Sequence, residues 1–185
     1  FTAFVAFEYS PTIGRDHLHR NVIFRGPKYP SMPFGATDSM QPEALWEYAN
    51  ANRANGIESL MIPHNSNLSN GRQFAYNDFA GQPMTREYIE NRLRNEPLVE
   101  ITQNKGTSET LPTLSPDDEF ADFELLAQGD GDQRGGYVRP GLQRGMEIAE
   151  KLGANPFQYG FVGASDYHSG ASSSEEDNFP GGLGQ

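Results

Sequence analysis

Short apolar runs bounded by turn residues recur along the chain and predict its β-strands. There are five such runs, at Phe1–Phe7, Asn21–Phe24, Glu58–Ile62, Leu98–Thr102 and Tyr159–Gly163. Short, largely apolar runs of this kind are typical of strands that are buried on both faces of a sheet. The pattern therefore predicts a sheet that is covered on both sides.

Segments between these runs carry helical spacing or the residues that begin a helix. We expect helices from Pro42 to the stop at Gly56, from the capping residue Thr85 to Leu93, after the Ser115 cap, and from Leu142 to Leu152. Strands that alternate with helices predict a parallel sheet with helical crossover connections. The sequence thus predicts an α/β barrel or part of one.

Composition narrows the class of protein. The chain has 185 residues, enough for one domain with one sizeable core. It contains no Cys, which excludes disulfides and thiolate zinc sites. The net charge of −11 argues against a nucleic-acid partner, because phosphate backbones bind clustered Lys and Arg. No apolar run approaches the ~20 residues of a membrane-spanning helix, so we expect no membrane span.

The two ends of the sequence suggest a piece of a longer protein. It begins with Phe1, inside an apolar run, and it ends in a Gly-rich segment after Asn178. We therefore expect residues 1–185 to form a single partial domain of a longer chain. The compartment and the oligomeric state are left open, since a signal peptide on a preceding segment is compatible with this interpretation.

Potential metal ligands cluster at the predicted strand boundaries. The chain has four histidines, His17, His19, His64 and His168. Glu8 ends the first predicted strand, and Asp166 follows the last one. The carboxyl ends of strands carry the active site of a parallel α/β barrel, and mixed N and O donors suit Zn, Mn or Fe. The pattern favours a metal site; the alternative is a set of histidines scattered over the surface.

The same residues resemble the later metal motifs of the PHP (polymerase and histidinol phosphatase) superfamily, which consists of metal-dependent phosphoesterases. The chain is more similar still to an uncharacterised bacterial family called domain of unknown function 3604. The phrases that carry this likeness are His19-Arg-Asn-Val-Ile-Phe24, Ile62-Pro-His-Asn65, Asn67-Leu-Ser69, Glu96-Pro-Leu-Val-Glu100, Lys105-Gly-Thr-Ser-Glu109, Asp118-Glu-Phe-Ala121, Tyr137-Val-Arg139, Asn155-Pro-Phe157 and Glu175-Glu-Asp-Asn-Phe179. They span nearly the whole chain in one order.

The resemblance implies a fold, a set of metals and a role for each ligand. The fold is a distorted (β/α)7 TIM-like barrel, of which this chain covers the later strands only. The cofactors are two or three divalent ions, Mn, Zn or Fe. Glu8 matches the bridging carboxylate, His19 and His64 match ligands of the second metal, Asp166 matches a ligand of the first and His168 one of the third. Glu8 and Asp166 are then the catalytic residues as well.

The chain departs from the superfamily pattern at its start. Superfamily members begin with a His-x-His on the first strand, and none precedes Glu8 here. The sequence His17-Leu-His19 has this spelling but follows Glu8, so we interpret it as a coincidence. His17 then matches no ligand position. The chain holds about half of a ligand set, and we expect catalysis from the longer parent protein rather than from these residues alone.

Four further polar residues are candidates for substrate contact or ligand support. Arg20, Lys105 and Arg139 are candidates for binding a substrate phosphate, although solvated surface cations would have the same pattern. Asn65 directly follows His64 and is expected to orient a ligand.

The function favoured by this pattern is a metal-dependent hydrolase, a phosphoesterase acting on a small phosphorylated or ester substrate through water activated by the metals. One alternative is an amidohydrolase-like enzyme that acts on a carbonyl. The other is a degenerate barrel that binds metal without catalysis. Whether the chain is an enzyme is therefore left open at this point. A His-x-His upstream of Phe1 would favour a catalyst over the degenerate barrel, whereas assays on phosphate and amide substrates would separate the two enzymes.

Overall fold

The computed structural model of the protein describes residues 3–126, 131–166 and 168. In chain order the elements are β1 (Ala6–Tyr9), β2 (Thr12–Ile13), β3 (Asp16–His17), β4 (Arg20–Phe24), α1 (Pro42–Ala54), β5 (Ser59–Pro63), a 3₁₀ turn (Ser66–Leu68), α2 (Arg86–Asn95), β6 (Leu98–Gln103), β7 (Gly106–Thr107), α3 (Gln133–Gly136), α4 (Val138–Leu152) and β8 (Gly160–Gly163). Phe1, Thr2, Tyr167 and the segment Glu175–Phe179, which entered the sequence interpretation, lie outside the described residues.

The first sheet is antiparallel throughout, in the order β1-β4-β5. The short β2–β3 hairpin separates β1 from β4, and Gly14 supplies the positive φ of 69° at its turn. Helix α1 lies between β4 and β5. Because Phe24 pairs with Ser59, the chain re-enters the sheet at the end where it left.

The second sheet has the order β7-β6-β8. Strand β6 pairs antiparallel with β7 and parallel with β8. The parallel pair is joined through α3 and α4, since parallel strands need a crossover connection. Strand β6 also lies next to β5, which brings the two sheets side by side.

The predicted TIM-like (β/α)7 barrel is wrong. In the described part of the chain the strands form small sheets that do not close, and β6–β8 is the one parallel pair of named strands. The alternation of helices and strands along the chain had predicted parallel pairing of the strands, and this inference is the one that failed. A two-strand hairpin connects β1 to β4 without a helix, and the path through α1 returns the chain to the same end of β4, so both connections give antiparallel pairs.

The core consists of two apolar clusters. The first joins the sheet to α1 and contains Tyr9, Leu18, Val22, Phe24, Leu45, Trp46, Ala49, Met61 and Phe79. The second joins α2, β6 and α4 and contains Phe74, Met84, Ile89, Val99, Val138, Ile148 and Phe157. Burial alternates along β4, where Arg20, Val22 and Phe24 are buried. One face of β4 therefore packs on the first cluster, and the opposite face is not part of that cluster.

Several predicted elements are confirmed, and most of their boundaries agree with the prediction to within one or two residues. Four of the five predicted strands correspond to β4, β5, β6 and β8. Helix α1 has Pro in its first turn, the side chain of Thr85 accepts a hydrogen bond from the Tyr88 amide at the start of α2, and Gly153 ends α4 with a φ of 71°.

Two predicted elements are wrong. Within the described residues the first strand covers only Ala6–Tyr9, and Phe4, which precedes it, is 67% exposed instead of buried. The segment after Ser115 forms successive turns instead of a helix, with Phe120 exposed. A Pro and several acids mark a turn as readily as a helix start, and no buried stripe follows them to stabilise a helix.

Within the residues that the structure describes, none of the helices has both the length and the apolar character that crossing a bilayer demands.

Candidate metal centre

The antiparallel sheet places three potential ligands on one face and at one edge. Glu8 on β1 pairs with Asn21 on β4, and Asn21 pairs with Ile62 on β5. His19 lies two residues before Asn21 and His64 two residues after Ile62. Because side chains alternate between faces with a period of two, Glu8, His19 and His64 share a face. The His64 amide donates to the His19 carbonyl at 3.2 Å, which keeps the two backbones in register.

Glu8 contacts both histidines through one oxygen. Its Oε1 lies 3.0 Å from His19 Nδ1 and 3.2 Å from His64 Nε2. The other ring nitrogens face protein oxygens: Thr12 Oγ1 lies 3.2 Å from His19 Nε2, and the Ile62 carbonyl lies 3.4 Å from His64 Nδ1. Such outer contacts fix the orientation of an imidazole and leave one nitrogen for a metal.

The contacts to His19 and then to His64 hold the pKa of the Glu8 carboxyl far below its ordinary value, against the opposing effect of burial. Hydrogen bonds that stabilise the charged form outweigh the desolvation of a half-buried group here. Glu8 is therefore an anion in the neutral pH range, which is the form that binds a cation.

A second group of ligand atoms lies on the other side of Glu8. His168 Nε2 is 3.6 Å from Glu8 Oε2 and 3.1 Å from Asp166 Oδ1. Asp166 follows β8 and adopts a positive φ of 55°, whereas His168 is exposed. Glu8 thus presents one oxygen to each of two donor groups, as a carboxylate that bridges two ions would.

The donor atoms in each group fit a divalent ion. The ligand atoms of Glu8, His19 and His64 lie within 4.8 Å of one another, and the same is true of Glu8, Asp166 and His168. Two imidazole nitrogens with a carboxylate oxygen, or two carboxylate oxygens with one imidazole, are sets that Zn, Mn and Fe accept. The structure therefore brings together all five residues that the sequence nominated as ligands. We call these five residues the candidate metal centre.

Two more charged residues approach this centre. Lys105, in the turn between β6 and β7, forms an ion pair with Asp166. Glu100 on β6 is buried, and burial raises the pKa of its carboxyl above the ordinary value. In the described part of the chain, Glu100 Oε1 has no hydrogen-bond partner. Burial lowers the pKa of the Lys105 ammonium group below its ordinary value, and the charges of Glu8 and then Glu100 oppose that shift.

Arg20 does not face the centre, contrary to its nomination as a substrate-binding residue. It directly follows His19 on β4, so its side chain points to the opposite face of the sheet. The guanidinium has no exposed surface and donates to Glu96 at 2.9 Å, to Gln73 at 3.0 Å and to the Leu18 carbonyl at 2.5 Å. Arg20 is therefore a core residue, out of reach of a substrate.

The two remaining candidates also have other neighbours. Arg139 near the start of α4 forms ion pairs with Glu109 at 2.5 Å and Asp118 at 2.6 Å. Asn65 is fully buried with a left-handed φ of 54°, and its side-chain amide has no hydrogen-bond partner among the described residues. Support of a ligand by Asn65 and phosphate binding by Arg139 stay predictions.

The β2–β3 hairpin contributes to the site, although the sequence pattern did not predict it. Its Thr12 contacts His19, and its His17 ring lies 4.8 Å from the His19 ring. His17 belongs to neither ligand group that the described residues form. Burial, then the charges of His19 and Lys105, lower the pKa of His17 below its ordinary value. The signal for this hairpin was Gly14 between two short polar segments.

One family matches the chain over residues 1–185, and it is described as a protein of unknown function (DUF3604). The chain belongs to the DUF3604 family. No curated protein matches it, and no solved structure does. The family part of the sequence interpretation is thus confirmed. Membership of the PHP superfamily stays a prediction, and DUF3604 membership alone says nothing about metals or a reaction.

Proposed function

We propose that this DUF3604 chain supplies the metal centre of a hydrolase, a phosphoesterase related in its ligands to the PHP superfamily. The observation that carries the proposal is the position of Glu8. Its two oxygens face different donor groups, with His19 and His64 on one side and Asp166 and His168 on the other. A carboxylate so placed can bridge two divalent ions that lie ~3.5–4 Å apart, the arrangement of many phosphatases and nucleases.

The proposed centre would hold Mn, Zn or Fe. Bound divalent ions supply Lewis acidity, which lowers the pKa of water and offsets negative charge on phosphoryl oxygens. The residues of the chain would keep the ions in place: Glu8 neutralises charge on both sides, and Thr12 and the Ile62 carbonyl fix the histidine rings. Phosphate esters suit this environment because a dicationic centre attracts an anionic substrate.

The experiment is a measurement of metal content followed by two activity assays. We would purify the full chain, and any longer parent protein that contains it, without chelator and measure bound Mn, Zn and Fe by elemental analysis. Each preparation is then assayed on p-nitrophenyl phosphate and on a p-nitroanilide amide, with and without added Mn²⁺. We expect bound transition metal in both preparations and phosphatase activity in the parent.

Three outcomes of this experiment have different meanings. Hydrolysis of the amide without the phosphate ester would replace the proposal by an amidohydrolase-like function. Bound metal without either activity in the parent would replace it by a metal-binding role. Absence of bound metal, together with no activity on adding any ion, would refute the metal centre itself.

A further inference from the structure

Lys105 brings a positive charge to the carboxylates of the candidate metal centre. Its Nζ forms an ion pair with Asp166 Oδ2, and the Lys105 side chain is 28% exposed whereas that of Asp166 is 8% exposed. Glu8 also attracts this ammonium group. The cation is therefore next to the proposed ligands and still open to solvent on one side.

The backbone of Lys105 is held by buried polar residues. Its amide donates to Gln103 Oε1 at 2.7 Å, and its carbonyl accepts from Asn67 Nδ2 at 3.0 Å. The Asn67 Oδ1 in turn accepts from Ser108 Oγ at 2.9 Å. Gln103, Asn67 and Ser108 are each at most 3% exposed. Buried hydrogen bonds of this kind fix a turn in one conformation.

The residue after Lys105 restricts the same turn further. Gly106 has a φ of 92°, which L side chains rarely adopt, and a Cβ there would lie 2.8 Å from Leu126 Cβ. The β6–β7 hairpin thus has a backbone of fixed shape that carries a flexible lysine side chain. The Lys105 ammonium group can therefore move, but only about a backbone position that is fixed.

Charge in the centre explains what this cation can do. Glu8 and Asp166 carry two negative charges and Lys105 one positive charge, so the ion pair offsets only part of the negative charge of the metal-free centre. A divalent ion on Asp166 competes with the ammonium for the same carboxylate and repels it. An anion that reaches the loaded centre then offers Lys105 a new partner, because ammonium groups bind phosphate oxygens as point charges.

We propose that Lys105 is the anion-binding residue of the candidate metal centre, paired with Asp166 while no cation is bound and turned to a phosphate oxygen of the substrate once Asp166 coordinates one. This inference rests on the proposed function and names the residue that recognises the substrate class. It makes two opposite predictions for one variant: loss of Lys105 strengthens cation binding and weakens phosphate binding.

The test is isothermal titration of the full chain with Mn²⁺ alone and then with inorganic phosphate after loading with Mn²⁺. Lys105→Gln should bind Mn²⁺ at least as tightly as the wild type and should bind phosphate about tenfold or more weakly, the effect of one charge-assisted hydrogen bond. Lys105→Arg keeps the charge and should retain phosphate binding within a few-fold. Lys28→Gln, at an exposed lysine in the loop after β4, is the matched control and should equal the wild type in both titrations.

The outcomes separate this inference from the proposed function. Phosphate affinity of Lys105→Gln within about twofold of the wild type would overturn the role of Lys105 and leave the metal centre intact. A parallel loss of Mn²⁺ affinity in Lys105→Gln would overturn it too, because Lys105 would then support the ligands. Mn²⁺ binding without any phosphate binding in the wild type likewise removes only this inference. Absence of Mn²⁺ binding in the wild type would remove both.

Discussion

Glu96 is a buried carboxylate placed between two arginines beneath the candidate metal centre. Its Oε1 accepts hydrogen bonds from Arg20 and from Trp46, both at 2.9 Å, and its Oε2 lies 3.3 Å from Arg92. Side-chain exposure of Arg20, Arg92 and Glu96 is 1% or less. Burial alone would raise the pKa of Glu96, but the charges of Arg20 and Arg92 outweigh it and hold that pKa below its ordinary value.

Glu96→Gln keeps the side-chain volume and removes the charge that both guanidinium groups face. Removing one partner of a buried ion pair costs about 3–5 kcal/mol, because the other charge is left uncompensated away from water. One kcal/mol shifts the melting temperature of a chain of this size by ~2–4 °C, so we expect a decrease of about 6–20 °C. The free energy of unfolding is measured by urea titration followed by circular dichroism, and the melting temperature by heating the same samples.

A surface pair of the same geometry provides the control. Arg86 Nε lies 2.9 Å from Glu90 Oε1, but these side chains are 68% and 62% exposed. Glu90→Gln should cost at most about 0.5 kcal/mol, as exposed helix pairs do. If Glu96→Gln and Glu90→Gln lowered the unfolding free energy to within about 1 kcal/mol of each other, burial of the charges would not be what makes the Glu96 network important.

The remaining predictions concern the candidate metal centre and the β6–β7 hairpin. Loss of a residue that only supports a metal ligand costs ~10–100-fold in metal affinity, and Glu8→Gln should lower the affinity at both donor groups by more than that. His19→Ala should remove one ion, whereas His17→Ala should leave the metal content unchanged, as elemental analysis would show. Without metal, the lowered pKa of Glu8 contributes stability that is present above its ordinary value of 4.5 and is lost as the pH falls below it. The difference in unfolding free energy between wild type and Glu8→Gln should therefore shrink below pH 4.5, and a constant difference in urea titrations from pH 3 to 7 would contradict this. Gly106→Ala should cost ~1–3 kcal/mol because of its positive φ, whereas Gly26→Ala, where open space surrounds the new methyl group, should cost much less in the same titrations.

Local elements could be predicted from the sequence because local rules decide them. The apolar runs located β4, β5, β6 and β8, and Thr85 and Gly153 marked the ends of two helices. Strand direction could not be predicted in this way, because it depends on where each connection returns the chain. The segment after Ser115 shows the same limit, since capping residues start a helix only when a buried face then stabilises it.

The structure turns Arg20 away from the candidate metal centre, and the strand geometry explains why. Arg20 is the first residue of β4 and directly follows His19, and consecutive residues of an extended segment point to opposite faces. A ligand at position 19 therefore places residue 20 on the other face, which in this protein is the core side with Glu96 and Trp46. Arg20 was expected near the metal ligands because it is next to His19 in the sequence. Side chains of an extended segment alternate between two faces, however, so these two neighbours point in opposite directions.

The positions of the ligands along their strands are incompatible with a parallel barrel. Glu8 and His64 lie at the ends of β1 and β5, but His19 lies just before β4 begins. In an all-parallel sheet the start of one strand and the ends of its neighbours lie at opposite edges, so His19 could not join Glu8 and His64. In an antiparallel arrangement the start of β4 meets the ends of β1 and β5, which is what the contacts of 3.0 Å and 3.2 Å to Glu8 require. A common site for these three residues thus implies the antiparallel sheet. The positions of the three ligands in the sequence were therefore already incompatible with a parallel barrel that carries them in one metal site.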